Sequence, residues 1–115
     1  MITELNRELR MRQRVYSRWV KQGRMSRDKA NRQYLLLKAA LELITTGLKP
    51  TDQIKTAILG ELNRELDYRK GAYPRMISSG KLNFHIGQKQ IIRLQAVTDM
   101  IRNDDIAVDN QQSLF

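Results

Sequence analysis

The hexapeptide ELNREL occurs twice in this chain, at residues 4–9 and again at 61–66, and sliding the sequence by 57 positions carries one onto the other. The same shift aligns residues 4–44 with 61–101 without a gap. It pairs Arg12 with Arg69, Tyr16 with Tyr73, Arg18 with Arg75, Gly23 with Gly80, Gln33 with Gln90, Ala39 with Ala96 and Ile44 with Ile101. Conservative pairs fill much of the remainder, among them Val20 with Ile77, Met25 with Leu82 and Leu37 with Leu94. Chance does not produce an ungapped run of this kind. The chain reads as a duplicated unit of about 41 residues, counted from the aligned span.

Each unit has the pattern of two helices. Leu5, Leu9, Tyr16 and Trp19–Val20 recur at the steps that place residues on one helical face. Gly23 follows where a helix would end, because glycine tolerates the positive φ of a C-terminal cap. Ser26 offers its side chain as the next N-cap. Ala30, Tyr34, Leu37, Leu41 and Ile44 then continue at four-three-four-three spacing. Residues 45–52 (TTGLKPTD) read as the linker, with Gly47 and Pro50 as breakers and Thr51 or Asp52 as the following cap. In the second unit Gly80 closes one helix and Asn83 begins another carrying Phe84, Ile91, Leu94 and Ile101. Gly71 and Pro74 fall inside the third helical pattern and predict a kink or break there. Two helical hairpins can bury their apolar faces against each other about a pseudo-twofold axis. The expected fold is all-α, a duplicated helical hairpin forming a four-helix bundle-like domain over residues 1–102, with 103–115 as a flexible tail. Leu35, Leu36 and Leu43 widen the apolar face of the second helix, which suits the bundle centre or, alternatively, a dimer interface. Trp19 and Tyr34, on apolar faces, read as core.

The charge is unevenly placed. Residues 1–50 hold twelve Lys and Arg against four Asp and Glu, whereas residues 51–115 hold nine against eight. A basic half joined to a near-neutral half points to a polyanion, nucleic acid above all, facing the first unit. Arg7, Arg10, Arg14, Arg18 and Lys21 form the stripe that would meet it, opposite Leu5, Leu9 and Tyr16. The matching positions of the second unit are Arg64, Asp67, Gly71, Arg75 and Ser78, so only two cations remain there. Arg24 extends the basic surface past the Gly23 turn, joined by Arg27, Lys29 and Arg32. Glu8 with Arg12, and Glu65 with Arg69, read as exposed i,i+4 pairs worth ~0.3–0.5 kcal/mol of helix support each.

Nothing in the sequence supports an enzyme. His85 is the sole histidine and there is no cysteine, so neither a histidine metal cage nor a thiolate site can be assembled. Asp104, Asp105 and Asp109 lack an EF-hand's glycine and terminal glutamate and read as a solvating spacer. No cofactor and no metal is expected. The opening residues lack a signal-peptide apolar region, and no apolar run approaches the ~20 residues of a membrane span, so a soluble cytoplasmic protein is expected.

The last five residues, QQSLF, resemble the pentapeptide by which bacterial proteins dock onto the replicative sliding clamp: Gln, an aliphatic residue, Ser or Asp, Leu, Phe. Four positions match; Gln112 stands where leucine is usual. The resemblance implies that Leu114 and Phe115 anchor in an apolar pocket, with Gln111 at its rim and Ser113 bonding nearby backbone. It covers five residues and does not bear on the helical part. Residues 12–26 (RQRVYSRWVKQGRMS) are similar to small phage- and prophage-encoded proteins of undefined function, which implies an accessory context and transfers no site residue. Together these give a phage-type replication or recombination accessory, or a modulator of host replication, with the bacterial sliding clamp and DNA as partners. The alternatives are a helical nucleic-acid-binding protein without clamp affinity, and an adaptor that binds protein through its leucine-rich second helix.

Overall fold

A computed structural model describes residues 2–104, which form four helices and no strand: α1 (Ile2–Lys21), α2 (Arg27–Thr46), α3 (Asp52–Ser78) and α4 (Phe84–Asn103). No helix among the described residues is long and apolar enough to cross a membrane. The 57-residue shift maps the end of α1 onto the end of α3, and both ends of α2 onto those of α4. Only the start of α3 departs: it begins at Asp52, ahead of the position that matches Ile2.

The hairpin turns repeat their main bonds. Gly23 and Gly80 both take positive φ, 71° and 78°. Their N–H groups donate to Val20 O and Ile77 O, each at 3.1 Å, while Arg24 N donates to Trp19 O and Lys81 N to Met76 O. The left-handed residue thus satisfies carbonyls that the helix end would otherwise leave open. Ser26 Oγ accepts from Lys29 N at 3.1 Å, and Asn83 Oδ1 accepts from His85 N and Ile86 N. Thr51 caps α3 in the same way, through Ile54 N.

The apolar core is symmetric too. Leu5 and Leu62, Leu9 and Leu66, Leu37 and Leu94, Ala40 and Val97, Leu43 and Met100, Ile44 and Ile101 are all buried, each pair related by the repeat. Complete burial of a leucine or isoleucine stabilises by roughly 1.5–3 kcal/mol before entropy costs. Helix α2 therefore lies within the bundle, with Leu43 buried and Leu36 packed at the core edge. Leu35 departs from that expectation: it points outward, 59% exposed, as does its counterpart Ile92 at 65%.

Beside this apolar layer lies a buried ionic one. The pairs Glu8–Arg12 and Glu65–Arg69 are not the exposed helix supports suggested by their spacing. Arg12 and Arg69 are fully buried, and Glu4, Glu8, Glu61 and Glu65 nearly so. Arg12 Nε donates to Glu8 at 3.0 Å, its Nη1 meets Glu61 at 2.8 Å, and its Nη2 donates to Glu65 at 3.1 Å. Arg69 repeats this with the units exchanged: Glu65 at 3.0 Å, Glu4 at 2.9 Å and Glu8 at 2.8 Å. Each guanidinium also donates to one backbone carbonyl of the neighbouring helix, Gln33 O at 2.8 Å or Gln90 O at 2.7 Å. Tyr16 and Tyr73 close the ends by donating to Gln33 Oε1 and Gln90 Oε1. Helical spacing alone gave no sign of this burial, because the deciding partners sit on the other repeat.

Two further sequence expectations are revised. Gly71 and Pro74 do not break α3, which runs continuously through both. Proline removes one N–H, which frees the Lys70 carbonyl, but Lys70, Gly71 and Pro74 all lie on the exposed side, where water can take the lost bond. Trp19 is half-buried rather than core. It stacks on Tyr16 with ring centroids 5.8 Å apart, and the Arg24 guanidinium lies 5.3 Å over it.

Removing one partner from a buried, fully bonded ion cluster leaves the others uncompensated, at a cost of about 3–5 kcal/mol. Arg12→Met and Arg69→Met should each lower unfolding free energy by that amount in urea titrations, equally within error. Unequal losses would break the symmetry argument. Glu65 adds a pH signature: burial, and then the adjoining Glu8, raise its carboxyl above the usual value of 4.5 against the pull of Arg69 and Arg12. A raised carboxyl binds its proton more tightly in the folded state. Its contribution is full below the unfolded value and is lost as pH rises through the folded one. The stability of the unmodified chain minus that of Glu65→Gln should therefore fall with rising pH across this window.

Candidate nucleic-acid interface

The ionic core determines which charges remain at the surface. Of the twelve cations in residues 1–50, Arg12 is buried and Arg7 is tied to Glu4, its Nη2 at 2.6 Å and its Nε at 3.2 Å. Arg7 keeps its charge more firmly than usual: burial opposes it, but the Glu4 hydrogen bond and charge prevail. Arg64 repeats this arrangement on Glu61, whose hydrogen bond holds its guanidinium charged. Four glutamates and four arginines thus neutralise one another inside and at the edge of the bundle. Ten Lys and Arg in residues 1–50 are left against Asp28 and Glu42, so the surface of the first repeat retains the whole imbalance of that half.

Arg10, Arg14, Arg18 and Lys21 are exposed along α1 and enter no ion pair among the described residues. Consecutive members four residues apart are separated by about 6 Å along the helix. Arg7 starts the same stripe but is committed to Glu4, which the sequence pattern did not reveal. Arg24 is exposed just beyond the turn, over Trp19, and Arg27, Lys29 and Arg32 continue along the start of α2. Arg10, Arg14, Arg18 and Lys21 thus share one face of α1, and Lys21 and Arg27 meet at the groove beside the turn, whereas Lys29 and Arg32 stand on another face of α2. Gln111, Ser113, Leu114 and Phe115, nominated for clamp binding, lie outside the described residues.

Sequence reasoning missed a cavity. A groove of about 520 Å³ runs between α1 and α2, from Lys21 and Arg27 at the turn to Gln13 and Tyr34. Gln13 Nε2 donates to the Tyr34 hydroxyl at 3.0 Å and closes the far end. Tyr16 forms one wall; its hydroxyl is held protonated by burial, against the influence of Arg12. The one signal available in sequence was the exchange, between repeats, of Lys21, Arg27 and Tyr34 for Ser78, Phe84 and Ile91. His85 is exposed near the start of α4, and no group of three potential metal ligands occurs among the described residues. Comparison with protein-family models, curated proteins and solved structures gives no match.

Proposed function

We propose that the chain is an accessory of bacterial or phage DNA replication that engages the sliding clamp through QQSLF and contacts DNA through the basic face of its first repeat. The observation that carries the reading is the pentapeptide itself: Gln111, Ser113, Leu114 and Phe115 match the clamp-binding pattern. A short linear motif binds by placing a few anchor side chains in preformed pockets of its partner. Leu114 and Phe115 are the anchors, and Gln111 supplies an amide that both donates and accepts. Arg10, Arg14, Arg18 and Lys21 support the second half, since they share one face of α1 and enter no ion pair among the described residues. A clamp partner works on DNA, so the two halves suit one task. Seated in the clamp, the protein either brings a DNA-processing factor or occupies the site that host polymerases use.

The test uses the full chain and an immobilised bacterial clamp. Replacing Leu114 and Phe115 together by Ala should weaken binding at least thirtyfold, since a hot-spot anchor carries about 2 kcal/mol or more. Unfolding free energy should move by less than about 0.5 kcal/mol, as for other substitutions outside a core. Gln112→Leu should tighten binding. Absence of clamp binding by the unmodified chain, even at millimolar concentration, would remove this half of the proposal.

The basic face favours a second reading, a nucleic-acid-binding protein without the clamp, and it has its own measurement. Replacing Arg10, Arg14, Arg18 and Lys21 by Gln should flatten the log–log salt dependence of duplex binding by up to about 0.9 per lost phosphate contact. Arg7→Gln should leave that slope unchanged and lower stability instead.

A further inference from the structure

The groove between α1 and α2 is more enclosed than its counterpart in the second repeat, an open depression lined by Pro74, Arg75, Ser78 and Ser79, of which Pro74 and Ser78 match Ser17 and Lys21. Nearer the bundle the second repeat is closely packed. Tyr73 is buried, and a Cβ placed on Gly87 would meet Leu82 Cδ2 at 3.1 Å, Tyr73 Cδ2 at 3.4 Å and Ile77 Cδ1 at 3.6 Å. The first repeat has Ala30, Met25, Tyr16 and the shorter Val20 at those places, and Tyr16 stays half-exposed. Packing of the hairpin therefore does not require the opening. Its rim has also been exchanged: Lys21 and Arg27 stand where the second repeat has Ser78 and Phe84, and Tyr34 where it has Ile91.

The chemistry of the groove is that of a nucleotide site. Its volume lies within the range of sites for small organic ligands. Tyr34 gives an aromatic face, the Tyr16 ring with Trp19 and the Arg12 guanidinium already against it forms the wall, and Ser17 and Asn31 contribute side chains that make no hydrogen bond among the described residues. A hydroxyl and a carboxamide can both donate and accept, as the edge of a base requires. Lys21 and Arg27 place two cations at one end, and Lys21 also belongs to the stripe with Arg10, Arg14 and Arg18. The groove thus opens directly onto the row of cations.

We propose that this groove seats one unstacked base of a single-stranded nucleic acid, with its neighbouring phosphates on Lys21 and Arg27 and the strand continuing along Arg18, Arg14 and Arg10. The proposal rests on the reading of the basic face as a nucleic-acid contact and specifies the form bound. A paired base in a duplex cannot reach an interhelical groove, whereas a single strand offers its bases to aromatic side chains and its backbone to cations. A free mononucleotide has the base and phosphate but not the strand that the stripe would hold.

Trp19 makes the test direct, because it is the only tryptophan and stacks on the groove wall Tyr16. The full chain is titrated at low salt with an oligothymidylate of about twelve nucleotides, within the usual site sizes. A duplex of the same length and thymidine monophosphate are titrated in parallel, following anisotropy and Trp19 emission. The single strand should bind at least tenfold tighter than the mononucleotide, and it alone should change Trp19 emission. Filling the groove with Ser17→Phe and Asn31→Phe, both at exposed positions, leaves every cation in place. Single-strand affinity should then fall about tenfold, the order of one lost base stack, while duplex affinity stays within about twofold, as expected for retained phosphate contacts. Tyr34→Ile, which installs the residue of the second repeat, provides the same test if the double variant melts early. Equal single-strand affinity in the filled and parent chains overturns the proposal, as does an unchanged Trp19 signal; either result with duplex binding intact leaves the basic-face reading standing. A mononucleotide that binds as well as the oligomer makes the groove a free-nucleotide site and overturns the single-strand assignment. No binding of any nucleic acid removes both readings.

Discussion

Arg12 and Arg69, each buried among carboxylates from both repeats, are the constraint on which the rest of this molecule depends. Taking six charges out of water is costly, and mutual attraction repays that only when geometry and hydrogen bonding are complete. Completeness is what the duplication supplies. Each guanidinium spans its own helix, the opposite helix and one backbone carbonyl, and the twofold relation makes a single good solution serve twice. The apolar pairs around it, such as Leu5 with Leu62 and Leu37 with Leu94, give cohesion but little direction. A slip of α1 against α3 would keep much of the apolar burial and strand several charges. The ionic layer thus matches one antiparallel pairing of α1 with α3, Arg12 against Glu65 and Glu8 against Arg69.

That choice also shapes the surface. The interior takes Glu4, Glu8, Glu61 and Glu65 from the chain's twelve acidic residues and neutralises them locally with four arginines. In the first repeat only Asp28 and Glu42 remain outside to oppose the exposed cations, so the polarity of the halves is sharpened by folding rather than diluted. In the second repeat the stripe positions are Arg64, Asp67, Gly71, Arg75 and Ser78, with Arg64 tied to Glu61, and Phe84 and Ile86 lie exposed where the first has Arg27 and Lys29. Two hairpins with one skeleton thus present different chemistry, strongly basic and grooved on one side, less basic and more closely packed on the other.

The fold was legible in sequence because its signals were local or repeated. Gly23, Ser26, Gly80 and Asn83 act as caps within a few residues of themselves, and the apolar steps of α2 and α4 follow helical period. The ionic core was not legible as a core, because Glu8 and Arg12 satisfy each other at i,i+4 on any exposed helix. Their decisive partners are 53 and 61 residues distant from the matching arginines. Pro74 misled for a similar reason: its penalty depends on whether water reaches the Lys70 carbonyl, which is a property of the packed molecule. Trp19 follows the apolar face but sits at its end, where the hairpin turn leaves one side of the ring to solvent and to Arg24. Of the stripe, Arg10, Arg14, Arg18 and Lys21 are placed as read, and only Arg7 is diverted.

One sequence observation did contain the hidden information. When a unit is duplicated inside a single chain, positions that hold the two copies together remain under the same requirement in each, since each meets the other across the axis. Positions that face solvent are freed from that symmetry. Glu4, Glu8, Arg12, Tyr16 and Gln33 are identical to Glu61, Glu65, Arg69, Tyr73 and Gln90, and every one of them is in the ionic layer or bonded to it. Identity among the glutamates, with the arginine four residues on, thus coincides with burial here, although identity of charge alone does not, since Arg18 and Arg75 are identical and exposed. The complement applies to the groove. Lys21, Arg27 and Tyr34 have no identical counterparts, so their chemistry is not demanded by the twofold architecture and is open to a task of the first repeat's own.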